Sequence, residues 1–178
     1  MRQHRSPARR RARALAIVPV IAAALALSGC SAIGSLVDGI APKPAETRDE
    51  SGTIVEGGQT DVFAIAVGDC LDDQSGDVVQ EVPTVPCSEP HAYEVYAEIV
   101  VTDADEYPGT EAIETEADAG CYDAFGPFVG FAYEDSELDF NYYYPTAESW
   151  AEGDRIVSCL ILEVSGADVT GSLAGAGR

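Results

Sequence analysis

Residues 150–164 read WAEGDRIVSCLILEV, and this stretch is the centre of the predicted fold. From Ile156 to Val164 most side chains are β-branched or leucine. A run this short and this apolar is typical of a strand that is buried on both faces of a small sheet. Gly153 and Asp154 precede the run and predict the turn that leads into it.

The first 29 residues predict an export signal. Six arginines among residues 2–13 precede an apolar run over residues 14–27, and Ser28 and Gly29 then lead to Cys30. A basic segment, a short apolar segment and small residues before a cleavage point define a signal peptide, which is too short to span a membrane stably. Residues 27–30, LSGC, resemble the lipobox of bacterial lipoproteins, so we expect Cys30 to be acylated. An ordinary cleaved signal is the alternative, and the export route (Sec or twin-arginine) stays open.

Charge separates the signal from the rest of the chain. After residue 29, four Lys and Arg remain against 31 Asp and Glu, a formal charge of −27. Such a surface repels phosphate backbones and anionic lipid head groups, so we expect no nucleic-acid partner. The acyl chains on Cys30 are then the predicted link to the membrane.

The composition predicts four segments. Residues 1–29 are the lipoprotein signal peptide, and residues 30–60, rich in Gly, Pro, Ser and acids, are a lipidated N-terminus and flexible tether. Residues 61–164 are the folded domain, and residues 165–178, rich in Gly, Ala and Ser, are a flexible tail.

Within the domain, strand patterns surround one amphipathic helix. The predicted elements are strands at 62–67, 78–85 (broken by Pro83, which suggests an edge or bulge) and 93–101, a helix at 110–125 ended by Gly126-Pro127, an aromatic strand at 138–144, a helical turn at 146–152 and the strand at 156–164. This order predicts an α+β fold, with a small, mainly antiparallel sheet and one helix packed on it.

If Cys30 takes lipid, the other four cysteines are an even set in an exported protein, which indicates two disulfides. Four cysteines allow three connectivities, and the sequence does not decide among them. We expect Cys70–Cys87, which would join the first strand to its neighbour, and Cys121–Cys159, which would fasten the helix to the buried strand. Zinc is the alternative, but the chain has no C-x-x-C pair and a single histidine after the signal, so we predict no metal and no cofactor.

Several short motifs share an order along the chain. They are Gly68-Asp69-Cys70, Val85-x-Cys87, Pro90-His91-x-x-Glu94-Val95, Tyr107-Pro108-Gly109, Cys121, Pro145 and Trp150-x-x-Gly153-Asp154-Arg155-x-Val157-x-Cys159. Together they resemble the septum formation domain of actinobacterial cell-envelope proteins. The resemblance implies an exported, membrane-anchored protein connected by name with septum formation. It brings no reaction and no catalytic residues.

Candidate residues for chemistry are few. His91 has no nucleophilic partner in the sequence and is interpreted as structural. Carboxylate pairs are so abundant that none stands out for glycosidic cleavage, and residues 72–77 fail the spacing of a calcium loop. We therefore expect a protein that is not an enzyme and that binds an unknown cell-envelope protein or glycan; an envelope hydrolase with a carboxylate pair is the alternative.

Two sets of residues are predicted to matter for the fold and for binding. The candidate binding face comprises His91, Tyr142, Tyr144 and Trp150. Arg155 is the single basic side chain between residues 61 and 163, among many acids, so we predict that it forms a structural clamp with Asp69 and Asp154, joining the two Gly-Asp turns.

Overall fold

The computed structural model describes residues 44–74, 79–101 and 105–178. The predicted signal peptide and Cys30 lie outside these residues. The described strands are β1 (Thr47–Arg48), β2 (Ile54–Glu56), β3 (Gly58–Asp61), β4 (Cys70–Leu71), β5 (Glu81–Val85), β6 (Tyr93–Val100), β7 (Leu138–Tyr143) and β8 (Ile156–Glu163). The helices are α1 (Thr110–Val129) and the short α2 (Ala147–Ala151).

Six strands form one sheet in the order β3-β5-β4-β6-β8-β7, and every pair in it is antiparallel. Strands β1 and β2 form a separate antiparallel pair. The helix α1 buries Ile113, Ala117, Cys121, Phe125 and Val129, which recur every fourth residue and so lie on one side of the helix. The predicted α+β fold is confirmed, with a mainly antiparallel sheet, one main helix and two disulfides.

The strand at residues 156–163 lies inside the sheet, between β6 and β7, as its apolar sequence predicts. Val157, Cys159 and Ile161 belong to the core on the α1 side, whereas Leu160 belongs to a smaller core on the opposite face. Both predicted disulfides are present, with Cα–Cα distances of 5.2 Å for Cys70–Cys87 and 5.6 Å for Cys121–Cys159. The second disulfide joins α1 to β8.

A bulge in β6 changes which residues face the helix. The pairing of β6 with β8 shifts between Val95 and Ala97. Before the shift, Tyr93 and Val95 belong to the smaller core; after it, Ala97 and Ile99 pack with the core beneath α1. A simple alternation would have placed all four on one face, so the bulge moves Ala97 and Ile99 to the face beneath α1.

The predicted segment boundaries are wrong at both ends of the domain. Residues 44–60, assigned to the tether, form β1, β2 and β3, and bury Ile54 and Thr60. Residues 165–178, assigned to a flexible tail, pack on the domain through Val169 and Leu173, which are 8% and 5% exposed. Low apolar content misled the prediction, because these segments are held mainly by hydrogen bonds.

Two element assignments also change. Residues 62–64 form a 3₁₀ turn and not a strand, because the Asp61 carboxylate accepts a hydrogen bond from the Phe63 N–H at 2.9 Å. The helix α1 continues through Gly126 and Pro127 to Val129, whose burial holds the last turn, and ends at Gly130 in the left-handed conformation (φ 75°). Among the described residues, no helix is both long and apolar enough to cross a membrane.

Candidate functional site

Asp69 is held by Arg48 and not by Arg155. The Nη1 and Nη2 atoms of Arg48 lie 2.7 and 2.8 Å from the two carboxylate oxygens of Asp69. The two parallel hydrogen bonds are the geometry that arginine commonly forms with a carboxylate. The Ala66 N–H donates to the same carboxylate at 2.8 Å. The Asp69 side chain is only 5% exposed. Its hydrogen bonds to the guanidinium raise the pKa of Arg48 above the ordinary value.

Arg155 stabilises its own turn. Its guanidinium carbon lies 3.7 Å from the centre of the Trp150 ring, and its Nη1 donates to the carbonyls of Trp150 and Asp154 at 2.8 and 2.6 Å. The Asp154 carboxylate instead accepts hydrogen bonds from the Ser149 hydroxyl and the Ile156 N–H. Within the described part of the chain Arg155 forms no ion pair, so the predicted clamp is wrong. Sequence reasoning missed Arg48 because it placed this residue in the tether.

His91 is fully buried and cannot belong to a binding face. Its Nδ1 lies 2.8 Å from the Glu89 carbonyl, which only accepts, so Nδ1 carries the proton. Nε2 is buried without a hydrogen-bond partner among the described residues. The backbone of His91 exchanges two hydrogen bonds of 2.9 Å with Val169, in the segment of residues 165–178 that we call the C-terminal strap.

Glu94 holds the same strap through its side chain. This carboxylate is 1% exposed and accepts hydrogen bonds of 2.6 Å from the Ser172 hydroxyl and from the Leu173 N–H. The strap is also fastened by Arg178, which pairs with Glu163 and Glu137. The Pro90-His91-x-x-Glu94 motif therefore anchors the end of the chain on the sheet.

Tyrosines and carboxylates alternate where α1 meets β7 and the 3₁₀ turn Tyr133–Asp135 that precedes it. Three tyrosine hydroxyls each donate to a carboxylate, forming the pairs Tyr122–Glu134, Tyr133–Asp139 (2.8 Å) and Tyr142–Asp118 (3.0 Å). Burial and the nearby Glu114 carboxylate raise the pKa of a fourth tyrosine, Tyr144. We call this set the tyrosine–carboxylate seam. Residues 114, 118 and 122 are four apart and so share one side of α1. Ring contacts connect Tyr142 with Tyr144 at 5.9 Å and Tyr122 with Tyr133 at 5.7 Å.

The seam is open to solvent and negatively charged. Tyr122 and Tyr144 are 43% and 36% exposed. Burial and the Asp118 carboxylate raise the pKa of Tyr142 to about 12, and the hydrogen bond to Asp139 raises the pKa of Tyr133. No described Lys or Arg forms an ion pair with any of the four carboxylates. The seam therefore combines exposed aromatic rings with carboxylates that no described basic side chain neutralises.

The predicted binding face is divided by the structure. Tyr142 and Tyr144 lie in the seam, whereas His91 and Trp150 are buried, at 0% and 3% exposed, and contribute to no surface. Trp150 packs in the core, with Tyr107 against its ring at 5.8 Å. The helical spacing of Glu114, Asp118 and Tyr122 was the one signal in the sequence for the seam. Only the packing of α1 beside β7 shows which side chains these residues meet.

A small cavity of about 100 Å³ is lined by Asp73, Ala92, Tyr93, Leu162, Glu163, Gly166 and Ala167. Small-molecule sites usually measure about 300–1,000 Å³, so this cavity is too small for a sugar chain. In the described ranges, no group of three His, Cys, Asp or Glu side chains is placed to hold a metal ion.

Comparison with known proteins agrees with the shared motifs. The family model described as septum formation matches residues 40–159, a range that includes both disulfides and all eight strands except the end of β8. No curated protein and no solved structure matches the chain. The match covers well over half of the 178 residues, and the chain belongs to the septum formation family.

Proposed function

We propose that this chain is a lipid-anchored extracytoplasmic protein that binds a cell-envelope or division component and catalyses no reaction itself. Membership of the septum formation family indicates a role in cell division or the cell envelope. The observation that carries the binding proposal is the tyrosine–carboxylate seam, where exposed aromatic rings stand beside four carboxylates without a basic partner among the described residues.

The chemistry of the seam favours a cationic partner. Ammonium and guanidinium groups are attracted both to carboxylates and to the faces of tyrosine rings. The large negative charge of the chain adds a long-range attraction for basic surfaces and repels acidic ones. Basic segments of an envelope or division protein, or a glycan with free amino groups, carry the complementary charge.

A binding assay with paired variants tests the seam. The lipidated chain in detergent would be titrated with isolated envelope fractions, beside the variants Asp118→Asn and Tyr144→Ala. We expect each seam variant to weaken retention about tenfold, which corresponds to about 1.4 kcal/mol. Glu148→Gln, at an exposed acid outside the seam, is the matched control and should bind like the parent. Equal binding by all four proteins would refute the seam as the binding surface.

Anchoring through Cys30 is tested separately. A diacylglyceryl group adds about 0.8 kcal/mol of membrane affinity for each buried CH₂, and the acidic domain offers no electrostatic attraction to anionic lipids. We expect Cys30→Ala to move the protein from the membrane fraction to the soluble extracytoplasmic fraction. A variant that stays wholly in the membrane would show that another segment is the anchor.

An envelope hydrolase remains the second candidate because of one pair of acids. Burial raises the pKa of Asp72, and the neighbouring Asp168 carboxylate adds to the rise. A carboxyl group with a raised pKa beside a second carboxylate is the arrangement used in glycosidic cleavage. Release of reducing ends from purified cell-wall glycan by the parent, and loss of that release in Asp72→Asn, would establish the enzyme and overturn our proposal.

A further inference from the structure

Residues 98–100 of β6 form an edge that no described strand pairs with on the side away from β8, and we call it the β6 edge. Its neighbour β4 pairs only with Tyr93 and Glu94. Next to these, the Val95 N–H donates to the Asp69 carbonyl and the Gly68 N–H donates to the Val95 carbonyl, each at 2.8 Å. The chain turns away from β6 at this point, since the Asp69 N–H donates a hydrogen bond to the Ala66 carbonyl within its own turn. No described strand lies beside residues 98–100 on this side.

The direction of the free backbone groups follows from the pairing with β8. The Val101 N–H donates to the Arg155 carbonyl at 2.8 Å, so residue 101 directs its backbone groups toward the β8 side. In an antiparallel ladder successive residues direct their N–H and C=O groups to opposite sides. Glu98 and Val100 therefore point theirs away from β8. Among the described residues these groups have no backbone hydrogen-bond partner.

The outer edge of the sheet at β7 is built differently. There the Asp139 carboxylate accepts a hydrogen bond from the Phe140 N–H, and the Asn141 side chain accepts one from the Tyr142 N–H, each at 2.8 Å. Side chains thus occupy the outward amides that another strand would use. Natural sheets protect exposed edges, and within the described ranges no side chain bonds the outward amides of the β6 edge in this way.

Exposed apolar side chains flank the β6 edge. Val100 is 65% exposed on the strand itself. Val67 is 53% exposed and immediately precedes Gly68, whose N–H bonds β6 at Val95, so it lies where the free edge begins. An added strand would cover apolar surface as well as pair its backbone.

We propose that the β6 edge binds one extended strand of a basic partner polypeptide by strand addition. Glu98 is exposed and lies two residues from Val100, so both side chains share a face of the sheet. The complementary strand carries a basic residue opposite Glu98 and an apolar residue two positions away, opposite Val100. A second copy of this acidic chain would place like charges across the new pair, which disfavours self-association.

Hydrogen exchange with designed probes tests this proposal on the lipidated chain in detergent. The probe is the peptide KTVTKTVTK, whose lysines and valines alternate on one face, and the control is ETVTETVTE. In the free protein we expect the Glu98 and Val100 amides to exchange quickly. The lysine peptide should slow their exchange about tenfold or more, and the glutamate peptide should not. Glu98→Lys should reverse the preference, and Val100→Pro, which removes the outward N–H, should abolish protection.

Three results would overturn the proposal. The first is slow exchange of the Glu98 and Val100 amides in the free protein, comparable with the Ile99 amide, since the edge would then be covered within the chain. The second is equal protection by both peptides or by neither. The third is protection that appears with protein concentration alone, which would make the partner a second copy. The seam variant Asp118→Asn should keep the protection, so this test is independent of the seam.

Discussion

The two halves of the six-stranded sheet achieve order by different means. In the C-terminal half, β6 and β8 have eight residues each and β7 has six. The core between these strands and α1 has fourteen buried members in the part of the chain that the structure describes. In the N-terminal half, β3, β5 and β4 have four, five and two residues. The core on the face away from α1 has five buried members among the described residues, and two of them, Val95 and Leu160, come from β6 and β8. The shorter half cannot draw the same stability from its ladder or its buried area.

Cross-links replace packing in the N-terminal half. The Cys70–Cys87 disulfide and the Arg48–Asp69 ion pair both hold the segment that leads into β4. The difference in strand length also creates the β6 edge, since β4 ends where β6 continues. We infer that the C-terminal half is the stable scaffold and that the N-terminal half depends on a few specific links. The following predictions test this division.

The largest effect is expected from the disulfide in the C-terminal half. Changing Cys121 and Cys159 together to alanine opens a 38-residue loop, which on chain entropy costs about 4 kcal/mol of unfolding free energy. Both residues are fully buried, so cavities add to the loss. The same change at Cys70 and Cys87 opens a 17-residue loop and should cost about 3 kcal/mol. Urea unfolding of both variants measures the difference, and a larger loss for the Cys70–Cys87 variant would show that loop length does not set the order.

The next effect separates the two arginines. Arg48→Ala leaves the Asp69 carboxylate buried without its partner and should cost about 2–3 kcal/mol, somewhat below a fully buried pair because Arg48 is 24% exposed. Arg155→Ala loses a ring contact and two carbonyl acceptors, and should cost about 1 kcal/mol. Thermal melts compare them, with Arg48→Lys as the control that keeps charge but not the fork. Equal losses at both arginines would restore a central role for Arg155.

A smaller effect is expected where the strap binds the junction of the two halves. Glu94→Gln replaces an acceptor-only carboxylate, so the side chain can no longer accept from both Ser172 and Leu173 without a change in geometry. We expect a loss of about 1–2 kcal/mol and faster exchange of the Leu173 amide. Glu98→Gln, on the same strand but exposed, is the control. An unchanged Leu173 amide in Glu94→Gln would mean that the strap is held by its other contacts.

The smallest effect concerns the seam at high pH. The pKa of Tyr142 is raised to about 12 in the folded state from an ordinary value of about 10, so the folded state retains this proton more strongly. The stabilisation is complete below pH 10 and is lost as the pH rises toward 12. Because Tyr142 is only partly buried and solvent screens its hydroxyl, we expect this stabilisation to amount to about 1 kcal/mol or less. Urea titrations at pH 8 and pH 11 should show a smaller alkaline loss for Tyr142→Phe than for the parent; equal losses would show that Tyr142 does not contribute.

Local patterns predicted the elements whose own sequence is sufficient to form them. The apolar run of β8, the amphipathic helix predicted at 110–125 and the helical turn predicted at 146–152 each indicate the structure that is observed. Even cysteine number in an exported chain indicated two disulfides, and both expected pairs are present. These features depend on residues that are close in sequence or on the number of cysteines.

The sequence by itself determined the class of this protein: an acidic α+β domain with two disulfides and a family signature. Only the tertiary structure decided which carboxylate Arg48 pairs with, where Glu94 finds its donors, and which edge of the sheet stays free. Glu94 and Leu173 are 79 positions apart, and Arg48 and Asp69 are 21 apart. Such contacts depend on how strands align and where β6 bulges, and composition and periodicity carry no information about either.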